Sequence, residues 1–167
     1  MKFLQYFLIT IVSLFLFNCK KPIQETEKID TIQFSYHSGL RIPYNEVIIY
    51  MERNNEEAIV QVHSKPLNDD VKWKYSKIDT ILFIDIRTFN ELAKSVISLD
   101  KIDIDKAYTV GLDGYSCKIE YGEKGKNKSY SFWSPTSETK KRGLTEFVNL
   151  CEQILDISGL KKQEIIE

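Results

Sequence analysis

Two histidines, His37 and His63, are the first side chains to consider for chemistry, and each is followed by serine near the end of a predicted strand. Histidine changes charge near neutral pH, so a pair that meets in space could bind zinc or act as a general base. Two solvated histidines at strand ends explain the same pattern without chemistry. No glycine-rich phosphate loop and no Cys-x-x-Cys motif accompanies them. We therefore expect no catalytic residue, no metal and no cofactor.

Three aspartates, Asp100, Asp103 and Asp105, have a spacing that superficially resembles a calcium-binding loop. An EF-hand loop also requires an internal glycine and a bidentate glutamate, and this segment supplies neither at the required spacing. The aspartates are therefore interpreted as part of a solvated connection between a helix and a strand.

Basic and aromatic runs provide two further candidates. The run Lys140-Lys141-Arg142 is typical of a solvated turn. Residues Tyr130, Phe132 and Trp133 could form a ligand platform, but strand alternation puts two of them on one face and one on the other, which favours core packing. The formal net charge is −1, from 23 basic and 24 acidic residues, and gives no field that favours nucleic acid.

The first nineteen residues, MKFLQYFLITIVSLFLFNC, place one lysine before a nearly continuous apolar run. That run is shorter than the roughly 20 residues needed to cross a bilayer and fits the apolar region of a signal peptide. The segment Leu16-Phe17-Asn18-Cys19 resembles a lipobox, although Phe17 and Asn18 stand where most lipoboxes have small residues. This relaxed form is similar to the lipoboxes of Bacteroidota and spirochaete lipoproteins. The resemblance implies cleavage before Cys19 and diacylation of its thiol. An uncleaved anchor helix and an ordinary cleaved signal remain alternatives.

Export would place the other two cysteines, Cys117 and Cys151, in an oxidising compartment. Cys117 shares a predicted strand face with Ile119 and Tyr121, and Cys151 lies in the middle of the apolar face of the last predicted helix. Both side chains should therefore point into one layer. They form either a disulfide that joins the helix to the sheet or two free, buried thiols.

The elements that position these residues begin with strands. Alternating apolar residues predict strands over the following segments: 31–36, 46–52, 57–63, 71–75, 77–86, 108–112, 115–121 and 128–133. A hairpin turn is predicted at Arg53 to Glu56, and a three-strand meander is predicted from Tyr108 to Trp133 with turns at Asp113-Gly114 and Gly122 to Asn127.

Two segments have helical periodicity. Phe89, Leu92, Ala93, Val96 and Ile97 share one face behind a capping box at Thr88-x-x-Glu91. The second helix has its apolar face at Leu144, Phe147, Val148, Cys151, Ile154 and Leu155 and stops near Ser158-Gly159. The sequence thus predicts an α+β domain, a mainly antiparallel sheet with two amphipathic helices packed on one face. This plan is similar to small α+β domains of Bacteroidota lipoproteins, a resemblance that brings no active residue with it.

The expected organisation is a signal peptide over 1–18, a lipid-anchored tether over 19–29, one domain over 30–160 and a polar tail over 161–167. The expected protein is exported and anchored by lipid to an envelope membrane. There it is expected to bind a protein or another envelope component, without catalysis, through the uncovered face or edge of its sheet. An inhibitor or immunity-type lipoprotein, and an envelope hydrolase using His37 or His63, are the alternatives.

Overall fold

The alternation of apolar residues produces six antiparallel strands in a single sheet. The computed structural model describes residues 28–167. The expected signal peptide, most of the tether and the expected lipidation site Cys19 lie outside this range. The sheet has the order β4-β3-β2-β1-β5-β6, and its strands are β1 Thr31–Ser38, β2 Glu46–Asn54, β3 Glu57–Lys65, β4 Ile78–Asp85, β5 Tyr115–Glu123 and β6 Lys126–Trp133.

One face of the sheet, the core face, is apolar and buried. On it Phe34 of β1 lies opposite Ile49 of β2 and Ile119 of β5, and all three side chains are fully buried. The other face, the open face, carries mostly polar side chains, such as Gln33 and Glu120, which are neighbours on β1 and β5. Since strand side chains alternate between the faces, one apolar residue in two is enough to build this core.

Helices cover the core face only, as the sequence predicts for an α+β domain. The helices are α1 Ile86–Val96, α2 Ile104–Ala107, α3 Thr139–Arg142, α4 Thr145–Ile157 and α5 Lys162–Ile165. The two long helices, α1 and α4, contact each other over the sheet. Phe147 of α4 packs edge-on against Phe132 of β6, with ring centroids 4.8 Å apart. Gly159, whose φ is 72°, follows the end of α4, in agreement with the predicted stop.

Three local predictions are wrong. Residues Val71–Ser76 form a 3-10 helix capped by Asp70 instead of a strand. Residues 108–112 form no strand, so the predicted meander is a two-strand hairpin with its turn at 124–125. The predicted capping box at Thr88 lies inside α1, because Asp85 caps this helix by accepting a hydrogen bond of 2.6 Å from Arg87 N.

The segment 161–167 also differs from the polar tail that its composition suggests. It contains α5, and Ile165 and Ile166 are buried in the core. Within residues 28–167, no helix combines the length and the apolar character needed to cross a bilayer.

Candidate functional site

The two ends of the sheet are built differently. The chain enters at Lys28, beside the start of β1, and this end also carries the tight turns at 55–56 and 124–125. We call it the tether end. The opposite end, here called the loop end, carries the connections 39–45, 66–77, 108–114 and 134–138. With strands of eight or nine residues, the two ends lie about 25–30 Å apart.

Exposed apolar side chains concentrate at the loop end. Eight of the eleven large apolar side chains that are exposed in the described part of the chain belong to its connections. They are Leu40, Ile42, Leu67, Val71, Tyr75, Tyr108, Val110 and Leu112. Leu112 is fully exposed, and Val71 and Tyr108 are each about 70% exposed. Single exposed apolar residues are ordinary on a protein surface, whereas a concentration of them at one end is typical of an interaction surface.

Hydrogen bonds between neighbouring connections hold the loop end in place. The amide of Leu67 donates to the carbonyl of Ile42 at 3.1 Å and so joins the first two connections. The hydroxyl of Ser38, the last residue of β1, donates to the carbonyl of Gly114 at 3.3 Å and accepts from Arg41 N at 3.2 Å, so it joins the first connection to the third. These hydrogen bonds hold the connections, and with them the exposed side chains, in place in the unbound protein. Such preorganisation lowers the entropy cost of binding.

The connection 108–114 lies directly on the indole ring of Trp133. A Cβ atom added at Gly111 would lie 2.3 Å from this ring, and one added at Gly114 would lie 2.6 Å from it. Only glycine permits so close an approach of backbone to ring. Trp133 is thus covered by its own chain, while Val110 and Leu112 on the same connection remain exposed. Tyr130 and Phe132 point to the core face, in agreement with the core packing that strand alternation favours over an aromatic platform.

Arg142 fixes the neighbouring connection from inside. Its guanidinium is buried and donates to four main-chain carbonyls at 2.9–3.1 Å, those of Ala107, Trp133, Ser134 and Ser137. Burial lowers the pKa of this guanidinium. The basic run is therefore not a uniform solvated turn, since Arg142 is internal while Lys140 and Lys141 are exposed. Sequence reasoning missed this role, because the four carbonyls carry no side-chain signal.

The C-terminal segment reaches the loop end through Arg41. The Arg41 guanidinium donates to the main-chain oxygens of Ile165 at 2.7 Å and of Glu167 at 2.6 Å, and it lies over the ring of Tyr115. The hydroxyl of Tyr115 donates to the carbonyl of Ile166 at 2.6 Å. Burial raises the pKa of Tyr115 to about 12, so this hydroxyl keeps its proton.

The two histidines lie exposed on the open face and do not meet. Glu46, which is opposite His37 on β2, is paired with Lys65 at 2.9 Å. His63 lies opposite Ile48 on one side and Asp79 on the other, with no hydrogen bond to either. Across residues 28–167 there is no group of three metal-ligating side chains placed to hold an ion. This geometry offers no observation in favour of a hydrolase.

The three aspartates do not form a loop around an ion. Asp100 accepts hydrogen bonds from the hydroxyls of Tyr121 and Tyr130 and from Lys128 Nζ, at 2.5–2.7 Å. Partial burial raises the pKa of Asp100, but these three hydrogen bonds and the Lys128 charge outweigh it and lower the pKa to about 2. Asp103 caps α2 by accepting from Lys106 N at 3.1 Å, and Asp105 is exposed.

Cys117 and Cys151 are both fully buried between α4 and the sheet. The two thiols are free and lie close enough to interact. Burial, followed by the contact with Cys117, raises the pKa of the Cys151 thiol well above its usual range. Such thiols are weak nucleophiles. For the exported protein, a disulfide and two free thiols remain the two alternatives.

Comparison with known proteins adds no family to this geometry. The chain matches no family of known proteins. No curated protein is significantly similar to it.

Proposed function

We propose that this protein is an exported lipoprotein, anchored through Cys19, whose domain binds a protein of the cell envelope at the loop end. The observation that carries the proposal is the position of the exposed apolar side chains, at the end of the sheet opposite the start of the described chain. A tether that leaves from Lys28 would direct this surface away from the membrane. Braced connections and the buried Arg142 favour a preformed binding surface over a catalytic cleft.

A partner suited to this surface has an apolar patch of its own. Burying a side chain the size of leucine contributes about 1.5–3 kcal/mol, so a few of the eight side chains are enough for stable association. Polar groups at the rim, including the Arg41 guanidinium, would set the orientation.

Site-specific crosslinking in intact cells tests the proposal. A photoreactive amino acid at Leu112 should yield one discrete crosslinked product, whereas the same group at Lys124, in the turn at the tether end, should not. Replacing Val110 and Leu112 by serine should reduce the recovered complex by at least about tenfold, because two apolar contacts are lost. The exposed Ile104, outside the loop end, provides the matched control Ile104→Ser. Equal crosslinking from positions 112 and 124 would refute the loop end as the binding surface.

A further inference from the structure

The two edges of the sheet differ in the groups that they present. The two-residue turn at 55–56 makes Asn54 and Glu57 a hydrogen-bonded pair, and from there hydrogen-bonded and non-hydrogen-bonded pairs alternate along the ladder. The hydrogen bond of 2.8 Å from Arg53 N to Asp30 O agrees with this alternation, because it shows that the amide of Arg53 points away from β3. Every second residue of an edge strand therefore points its amide and carbonyl outwards. On β4 these residues are Asp79, Ile81, Phe83 and Asp85, and on β6 they are Asn127, Ser129, Ser131 and Trp133.

The middle of the β4 edge is apolar, and the charged residues of the strand, Asp79 and Asp85, lie only towards its ends. Ile81 and Phe83 are each about 60% exposed on the open face, next to the outward amides. Natural sheets protect such edges with lysine, proline or a bulge. Strand β4 contains neither lysine nor proline, and its pairing with β3 runs without interruption over eight residues. The outward side chains of β6 are mostly short and polar.

Carboxylates lie at both ends of the exposed apolar pair. Asp79 lies at one end, and Glu57, beside the last residue of β4, lies at the other. Among the described residues, no cation is within ion-pair distance of either carboxylate. The cations that flank the strand are engaged, since Lys77 binds Asp69 at 3.1 Å and Arg87 lies 3.8 Å from the carboxylate that caps its own helix. The edge is thus complementary to an apolar strand with a basic residue at each end.

A second copy of the chain does not fit this edge. Antiparallel self-pairing centred on Leu82 would place Asp79 opposite Asp85 twice, and like charges directly opposite are destabilising. Centring the pair on Ile81 or on Phe83 would place a carboxylate opposite an apolar side chain in each half. Each of these three registers therefore places a carboxylate opposite another carboxylate or opposite an apolar side chain.

We propose that the outer edge of β4 accepts an extended segment of a partner protein as a seventh strand. The segment carries two apolar side chains at alternate positions, opposite Ile81 and Phe83, and a lysine or arginine at each end. The main-chain groups of these two residues supply the hydrogen bonds, and their side chains and the flanking carboxylates supply the selectivity. This surface is separate from the loop end, and neither proposal depends on the other.

The test uses the synthetic peptide Lys-Thr-Ile-Thr-Val-Thr-Lys with blocked termini. The protein is the chain without its first 18 residues, which contains the whole domain 28–167. Fluorescence anisotropy of the labelled peptide should show saturable binding. Hydrogen exchange followed by NMR should show that the amides of Ile81 and Phe83 exchange fast in the free protein and slow down with peptide. The amides of Thr80 and Leu82, which face β3, should be slow in both states.

Two peptide variants and two protein variants separate strand addition from adhesion to an apolar surface. Glutamate in place of both lysines of the peptide, or methylation of its Ile and Val nitrogens, should weaken binding by at least about tenfold. Ile81→Lys with Phe83→Lys should do the same, whereas Ser129→Lys with Ser131→Lys on β6 should not. Both protein variants replace exposed residues, and circular dichroism verifies that they fold. Absence of binding, protection of the β6 amides instead, or dimerisation through β4 would each overturn the proposal.

Discussion

The side chain of Cys151, in the middle of α4, lies beside that of Cys117 on β5, and neither is accessible to solvent. Cys151 is thus one of the six buried side chains that α4 turns towards the core. This packing also places the only two cysteines of the described residues side by side.

We predict that the protein isolated from an oxidising compartment contains a Cys117–Cys151 disulfide, formed as an envelope disulfide oxidant accepts two electrons and the thiols lose two protons. The bond would close a loop of about 35 residues and stabilise the fold by about 4 kcal/mol, so reduction should lower the melting temperature by about 10 °C. Mass spectrometry after alkylation counts the free thiols. The double variant Cys117→Ala, Cys151→Ala should show no effect of reductant. Two alkylated thiols in freshly exported protein would contradict the prediction.

Replacing Arg142 by methionine should destabilise the fold by about 3 kcal/mol, because four buried carbonyls lose their donor while the apolar stem is kept. Urea unfolding measures the loss. Lys141→Met, at the exposed neighbouring cation, should change stability by less than about 0.5 kcal/mol. Similar losses in the two variants would show that the carbonyl contacts of Arg142 contribute little.

Asp100→Asn should reduce stability at neutral pH by on the order of 1 kcal/mol, an amount limited by solvent screening. The pKa of Asp100 is about 2 in the folded protein and lies below its value in the unfolded chain. The carboxylate therefore contributes its full stabilisation of the fold above about pH 4 and loses it as the pH falls through about 2. Thermal melts from pH 7 to pH 2 should show the wild type and the variant converging in acid. The exposed Asp105→Asn should run parallel to the wild type throughout. A stability gap of undiminished size at pH 2 would rule out the charge of Asp100 as its cause.

Cys19→Ala should abolish lipid attachment, since the thiol is the acceptor of the acyl group. Metabolic labelling with a palmitate analogue, followed by membrane fractionation, measures this. Cys117→Ala should keep both the label and the membrane association. Equal labelling of the Cys19→Ala variant and the wild type would remove the basis for the proposed anchoring.

The regular elements were predictable because their residues follow the periods of strand and helix. In strand β3, for instance, burial alternates from Ala58 to Ser64, and the apolar residues Ala58, Val60 and Val62 occupy buried positions. The two wrongly predicted strands, 71–75 and 108–112, share one cause. Val71 and Tyr75, like Val110 and Leu112, have high strand propensity and alternate correctly, but the fold leaves them exposed in connections with no partner strand. The strand propensity of a residue shows only that it tolerates an extended backbone. A strand forms where that backbone also finds a neighbouring strand to which it can hydrogen-bond.

The loop end was not predictable from any single segment. Its side chains come from connections far apart in sequence, and the strand order β4-β3-β2-β1-β5-β6 brings them together. The one available signal was the set of apolar residues that the predicted core did not need. Nothing in the sequence indicated that Arg142 is buried. It follows two exposed lysines, and its hydrogen-bond partners are main-chain carbonyls, which every residue carries.

The contacts of Arg41 with the last residues have a practical consequence for handling this protein. Because Arg41 binds the main-chain oxygens of Ile165 and Glu167, any polypeptide joined after Glu167 starts beside the loop end. An affinity tag or fluorescent protein fused there would shield the apolar side chains and strain the Arg41 contacts. The turn at 124–125, at the far end of the sheet, is the better insertion point for a label.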